Sequence, residues 1–88
     1  MIEKTLLYLG LKHLGHAKVM ETFMNLKVCT GMTDTNIVNF ANSEQGLDFS
    51  NRVKSTLDKG ESLHLAVLQV CKQYKEEKLL DQYLTMKV

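Results

Sequence analysis

From Ser62 to Met86 the chain reads SLHLAVLQVCKQYKEEKLLDQYLTM, and no glycine or proline interrupts it. Ser62 is a suitable N-terminal cap, and the residues after it have the composition of one long helix. Its first part is almost uniformly apolar through Leu63, Leu65, Ala66, Val67, Leu68, Val70 and Cys71. That pattern belongs to an element buried on most of its sides, which makes it the expected core helix. Lys72 to Lys78 is then polar apart from Tyr74 and reads as a solvated face. Leu79, Leu80, Tyr83, Leu84 and Met86 restore an apolar stripe beyond it. This second stripe has two readings of equal weight. It folds back on the first helix, or it stays open as a helix-in-groove or dimer surface.

Upstream, proline is absent from the whole chain, so the strongest helix breaker is missing and five glycines supply the punctuation. The spacing predicts a helix over Ile2 to Leu14, with Gly10 as a weak point inside it and Gly15 as its stop. A second amphipathic helix is expected from His16 to about Val28, carrying Ala17, Met20, Phe23 and Met24 on one side. The segment from Thr30 through Gly31 to Thr33 breaks that pattern. Thr33 or Asp34 can cap a short third helix with Ile37, Val38, Phe40 and Ala41. Asn42 to Gly46 has the composition of a loop, after which Asp48 or Ser50 can cap a fourth helix bearing Val53 and Leu57. That helix is expected to stop at Asp58-Lys59-Gly60. The competing reading places strands at Leu26 to Thr30 and Asn36 to Phe40, but neither segment alternates.

A chain of 88 residues has room for one small core, so residues 1–88 are read as one helical domain. At 44% hydrophobic and 24% charged it has the composition of a globular protein and not of a disordered one. The net charge of +1 supplies no global field toward nucleic acid or anionic lipid. No apolar run is long enough to span a bilayer. No cleavable leader pattern opens the chain, and a reducing cytoplasm is the expected location. The two cysteines, Cys29 and Cys71, sit beside apolar residues and are expected to pack as small hydrophobes rather than to form a disulfide or redox pair.

Chemistry-bearing constellations are sparse. His13 and His16 have i, i+3 spacing, and Cys29 or His64 could complete a metal site, but Gly15 interrupts the pair and no second ligand pair accompanies it. No metal and no cofactor is expected. Ser43, Ser50, Ser55 and Ser62 lie in no nucleophile motif, and the glycines lack the spacing of a phosphate-binding loop. The acidic residues read as caps and solvated faces, so catalysis is not expected. Met20, Met24 and Met32 with Phe23 offer an adaptable apolar surface, although ordinary core filling is the simpler account.

One nucleic-acid reading has specific residues behind it. Thr33 to Asn42 and Ser50 to Leu57 could form a helix-turn-helix, with Asn51, Arg52, Lys54 and Ser55 available for contact with bases or phosphates. The preceding run Leu11 to Met20, LKHLGHAKVM, resembles the opening helix of small winged-helix repressors, over about half of the chain and without a specific motif. The resemblance implies a dimeric DNA-binding transcriptional regulator. Against it stand the long separation of Ala41 from Val53, the lack of an alternating strand pair for a wing, and a single arginine.

These readings converge on an all-α, four- to five-helix orthogonal bundle with a long C-terminal helix. Its expected role is non-catalytic: a small adaptor, inhibitor or regulatory subunit, of the character of a phage or viral accessory protein. It would act through apolar helix faces on another protein or as a homodimer, with Leu79, Leu80, Tyr83, Leu84 and Met86 as the interface.

Overall fold

Phe40, Phe49, Tyr74 and Tyr83 come from four successive helices and meet edge to face at the centre of the molecule. Ring centroids stand 5.3–5.8 Å apart around Phe40, and Phe49 lies 5.4 Å from Tyr74. The computed structural model describes residues 2–84, and the elements that deliver these rings are all helical. After a 3₁₀ turn at Ile2–Lys4 come α1 (Leu6–Leu11), a second 3₁₀ turn at Lys12–Leu14, and α2 (His16–Thr30). They are succeeded by α3 (Asp34–Ala41), α4 (Glu44–Asp58), α5 (Leu63–Glu76) and a single turn, α6 (Asp81–Leu84). Five helices form an all-α bundle with orthogonal packing, and α6 closes it. The two broadest helix interfaces are α1 on α4 and α2 on α5; α4 also packs on α5 and α3.

Helix boundaries are set by caps. Thr5, Thr33, Ser43 and Ser62 each sit in extended backbone and accept a hydrogen bond from an amide three residues on, which satisfies one of the orphan donors of a first turn. Gly31 ends α2 in the left-handed region, at φ 74°. The expected caps at Thr33 and Ser62 and the expected breaks at Gly15, Gly31 and Gly60 are where the chain turns.

The structure departs from the expected elements at several points. The first helix does not run unbroken from Ile2 to Leu14, because Thr5 caps a new start and Lys12 opens a 3₁₀ turn. Inside α1, Gly10 is less a weak point than a contact: a Cβ there would collide with the Ser50 side chain of α4. The expected loop at Asn42 to Gly46 is only the two residues Asn42 and Ser43, since Ser43 caps α4 in place of Asp48 or Ser50. Gly46 belongs to the first turn of α4, where a Cβ would overlap the backbone carbonyls of Phe40 and Ala41. The segments weighed as strands lie within α2 and α3, and no strand occurs among the described residues.

The C-terminal helix ends at Glu76 and does not continue from Ser62 to Met86. Lys78 adopts φ 60°. The amide of Leu79 then donates back to the Tyr74 carbonyl at 2.9 Å and that of Lys78 to Lys75 at 3.1 Å. This is the paired hydrogen-bond pattern of a Schellman stop, built here with lysine where glycine is usual. Nor is α5 buried on most sides. Leu63, Ala66, Val67, Val70, Cys71 and Tyr74 form its buried face, while Leu65 and Leu68 are 47% and 37% exposed.

Tyr74 locks α5 to α4 by more than its ring. Fully buried, it holds its hydroxyl 2.8 Å from the Gln45 carbonyl and 2.6 Å from Asp48 Oδ2, two acceptors that share its one proton. Burial, and then the hydrogen bond to the Asp48 carboxylate, push this hydroxyl well above the ordinary tyrosine range.

A raised folded-state pKa favours the neutral phenol, so its stabilisation is complete below about pH 10 and is lost as pH rises further. Tyr74→Phe is expected to cost about 1–2 kcal/mol at neutral pH. Its denaturant midpoint should also fall less steeply than that of the parent between about pH 9 and about pH 11, with Tyr8 and Tyr83 common to both. Lys78→Gly removes a side chain from left-handed backbone and is expected to raise the unfolding free energy by about 0.5–1 kcal/mol in urea titration.

Candidate functional site

The apolar stripe at the C-terminal end is turned inward by the break at Lys78. Leu80 is fully buried, and Leu79 and Tyr83 pack half-buried against the same core. Tyr83 stacks edge to face on Phe40, and its carbonyl accepts from Asn36 Nδ2 at 2.9 Å. α6 therefore lies on α3, and not on the first helix as a fold-back of the stripe would have it. Leu80 is thus covered by its own chain, while Leu79 and Tyr83 remain partly open to solvent. The Leu84 side chain and Met86 lie outside the described residues.

An open apolar surface exists elsewhere, between α2 and α3. Met20, Phe23, Met24 and Lys27 fall on one face of α2 at i, i+3, i+4 and i+7. Asp34, Ile37 and Val38 answer them from α3, and the two faces bound a groove of about 470 Å³. Phe23 and Ile37 form its floor, each 5% exposed. Met20 and Val38 are half-buried at its sides, and Met24 stands 67% exposed on its lip. An ion pair, Lys27 Nζ to Asp34 Oδ1 at 2.8 Å, spans the rim and is itself exposed.

Val28 comes one turn after Met24 on α2 and is 84% exposed. On the other side of Val28 lies the seam with α5, where Asn25 meets His64 and Cys29 meets Cys71. Leu68 and Leu65 lie on α5 away from its buried face and are partly exposed. Met24 and Val28 of α2 and Leu65 and Leu68 of α5 are thus exposed large apolar side chains on two helices that pack together. Of the methionine set read from the sequence, Met20 and Met24 belong to this surface with Phe23, whereas Met32 is core at 4% exposure. Sequence periodicity marks this face as apolar. It does not tell that α3, a helix of eight residues, leaves part of the face uncovered.

The polar residues considered for nucleic acid have other occupations. Arg52 is 29% exposed and is held by Asp48 at 2.9 Å and Glu77 at 3.0 Å, with its guanidinium 4.9 Å over the Tyr74 ring. Lys54 is half-buried, and Asn51 and Ser55 are exposed. They share the open stripe of α4 with Glu44, Asp48 and Asp58, carboxylates that oppose a phosphate backbone. The turn between α3 and α4 is shorter than the sequence suggested, so spacing is no objection to a helix-turn-helix; α4, however, is packed by α1, α3 and α5.

The histidine constellation is not assembled. His13 is exposed on the 3₁₀ turn, His16 Nδ1 bonds the Tyr8 hydroxyl at 2.8 Å, and His64 Nδ1 bonds Asn25 Oδ1 at 3.3 Å. Among the described residues no three His, Cys, Asp or Glu side chains are grouped to hold a metal ion. No helix among them is long and apolar enough to cross a membrane. Comparison with protein-family models, with curated proteins and with solved structures finds no match for this chain.

The engagement of Arg52 makes a prediction. Arg52→Ala is expected to lower the unfolding free energy by about 1 kcal/mol, because it removes a bidentate contact and the cover over Tyr74. Lys54→Ala should stay within about 0.5 kcal/mol of the parent in the same denaturant titration.

Proposed function

We propose that this chain is a non-catalytic interaction module that self-associates through the α2–α3 groove and the apolar ridge beside it. The observation that carries the reading is the adjacency of Met24 and Val28, 67% and 84% exposed, to a groove floored by Phe23 and Ile37. Isolated exposed apolar residues need no explanation, but a contiguous ridge next to an apolar recess does.

The occupant best matched to this surface is a second copy. A two-fold arrangement seats the Met24–Val28 ridge of each protomer in the groove of the other, the isologous geometry usual for homodimers. The rim charges are of opposite sign, Lys27 and Asp34, so two copies can exchange them across the seam. Methionine suits both roles, because its unbranched thioether repacks to an irregular recess. A regulatory subunit or adaptor of this kind would place a heterologous partner on the remaining apolar edge at Leu65 and Leu68.

Duplex-DNA binding has weaker support, since the one arginine is committed within the fold and α4 presents carboxylates.

Light scattering and sedimentation across a concentration series test the reading. The parent chain is expected to populate a dimer, and Met24→Glu with Val28→Glu should weaken it at least about tenfold by placing two charges in the desolvated seam. A parent that stays monomeric at high concentration removes self-association. A dimer that survives both substitutions removes this surface.

A further inference from the structure

Cys29 and Cys71 are 42 positions apart in the chain, yet their sulfurs stand 2.6 Å from one another across the α2–α5 seam. That is well inside the separation of two non-bonded sulfur atoms, and both cysteines are free thiols. Their surroundings differ. Cys71 is 2% exposed on the buried face of α5, whereas Cys29 is half-buried near the end of α2. Lys75, one turn beyond Cys71, donates Nζ to the Cys29 carbonyl at 2.7 Å and so holds an ammonium beside the pair. Two cysteines that serve only as small hydrophobes need neither the direct sulfur contact nor the adjacent cation.

The two thiols are also unequal in acidity. The hydrogen bond shared with Cys71 and the Lys75 ammonium hold Cys29 below the ordinary cysteine range, against the opposing effect of burial. The same hydrogen bond, together with burial, pushes Cys71 up. When Cys29 ionises, the S–H of Cys71 can turn to donate to it.

We propose that Cys29 and Cys71 form a reversible thiol-oxidation site, with Cys29 the attacking sulfur, Cys71 the resolving one, and a disulfide between α2 and α5 as the product. The oxidant is a small disulfide of the glutathione class. The Cys29 thiolate attacks one sulfur of that disulfide, forms a mixed disulfide and expels a glutathione thiolate. Cys71 then gives up its proton and attacks the Cys29 sulfur, and the second glutathione leaves as a thiolate. Two protein thiols are oxidised, one glutathione disulfide is reduced to two glutathiones, and the two protons go to the leaving thiolates. A dithiol reverses both steps. Disulfides of this transient kind are the ones compatible with a reducing compartment. Because α2 also carries the groove, the oxidised form fixes the helix on which the proposed docking face is built.

The test uses the reduced full chain and glutathione disulfide, with subsequent denaturation, alkylation and mass measurement. The parent is expected to lose both alkylatable thiols, remain a single chain without reductant, and carry no glutathione. Its Tm should rise by at least about 10 °C, as for a cross-link closing a loop of this length, and return to the reduced value with dithiothreitol. Cys71→Ser should accumulate glutathione on Cys29, and Cys29→Ser should react at least about tenfold more slowly. Two thiols still alkylatable in the parent, or glutathione retained on it, overturns the site. Equal rates in the two variants overturn the assignment of the attacking sulfur. The parent measurement stands even where a variant folds poorly.

Discussion

Tyr74 is the residue on which the packing of this bundle turns. Its ring sits among Phe40 and Phe49, its hydroxyl reaches the first turns of α4 at Gln45 and Asp48, and Arg52 covers its outer face. A buried phenol without a partner is costly, so the angle at which α5 meets α4 is set by the need to satisfy that hydroxyl. Once the angle is set, Glu77 falls within reach of Arg52, and the chain reverses directly afterwards at Lys78. Tyr83 is thereby delivered to Phe40 as the last ring of the cluster. Packing, polar satisfaction and chain reversal are consequences of one side chain that a hydropathy profile treats as a lone apolar residue in a polar stretch.

The all-α class and most helix limits were legible from local chemistry. Thr33, Ser62, Gly15, Gly31 and Gly60 act at short range, through caps and backbone conformations that a few neighbouring residues determine. The misread boundaries depend on long-range contact. Gly46 reads as a turn former, but it is glycine because two carbonyls at the end of α3 pass over it. Lys78 carries no sequence signature of a helix stop, and its left-handed backbone accompanies closure of the chain onto α3. Phe49, at the heart of the aromatic cluster, was hidden by the expected start of α4 a few residues too late.

The candidate site was legible only in part, for a related reason. Periodicity shows that Met20, Phe23 and Met24 share a face of α2, yet whether that face is core or surface depends on how much of it α3 covers. The stripe at Leu79, Leu80 and Tyr83 poses the same question and receives the opposite answer. Hydrophobicity identifies surfaces that want cover without saying which chain provides it. The thiol pair is invisible for a different reason, since nothing near Cys29 announces a partner 42 positions away.

The two broad interfaces join helices that are not neighbours in the chain, α1 with α4 and α2 with α5. In a bundle of sequential hairpins each helix finds its partner as soon as the next has formed. Here the pairings interleave. A chain emerging from the ribosome meets the broadest partner of α1 only at residue 58 and that of α2 only at residue 76, with the smaller contacts of α3 available before then. Local propensity and the small contacts with α3 must sustain α1 and α2 in the meantime, and helices of six and fifteen residues are marginal when isolated. Acquisition of the native state is thus expected to be late, cooperative and slower than for an up-and-down bundle of equal size. During that interval both thiols stand less shielded than in the folded chain, where Cys71 is buried, which makes nascent chains, more than finished ones, the species exposed to premature pairing.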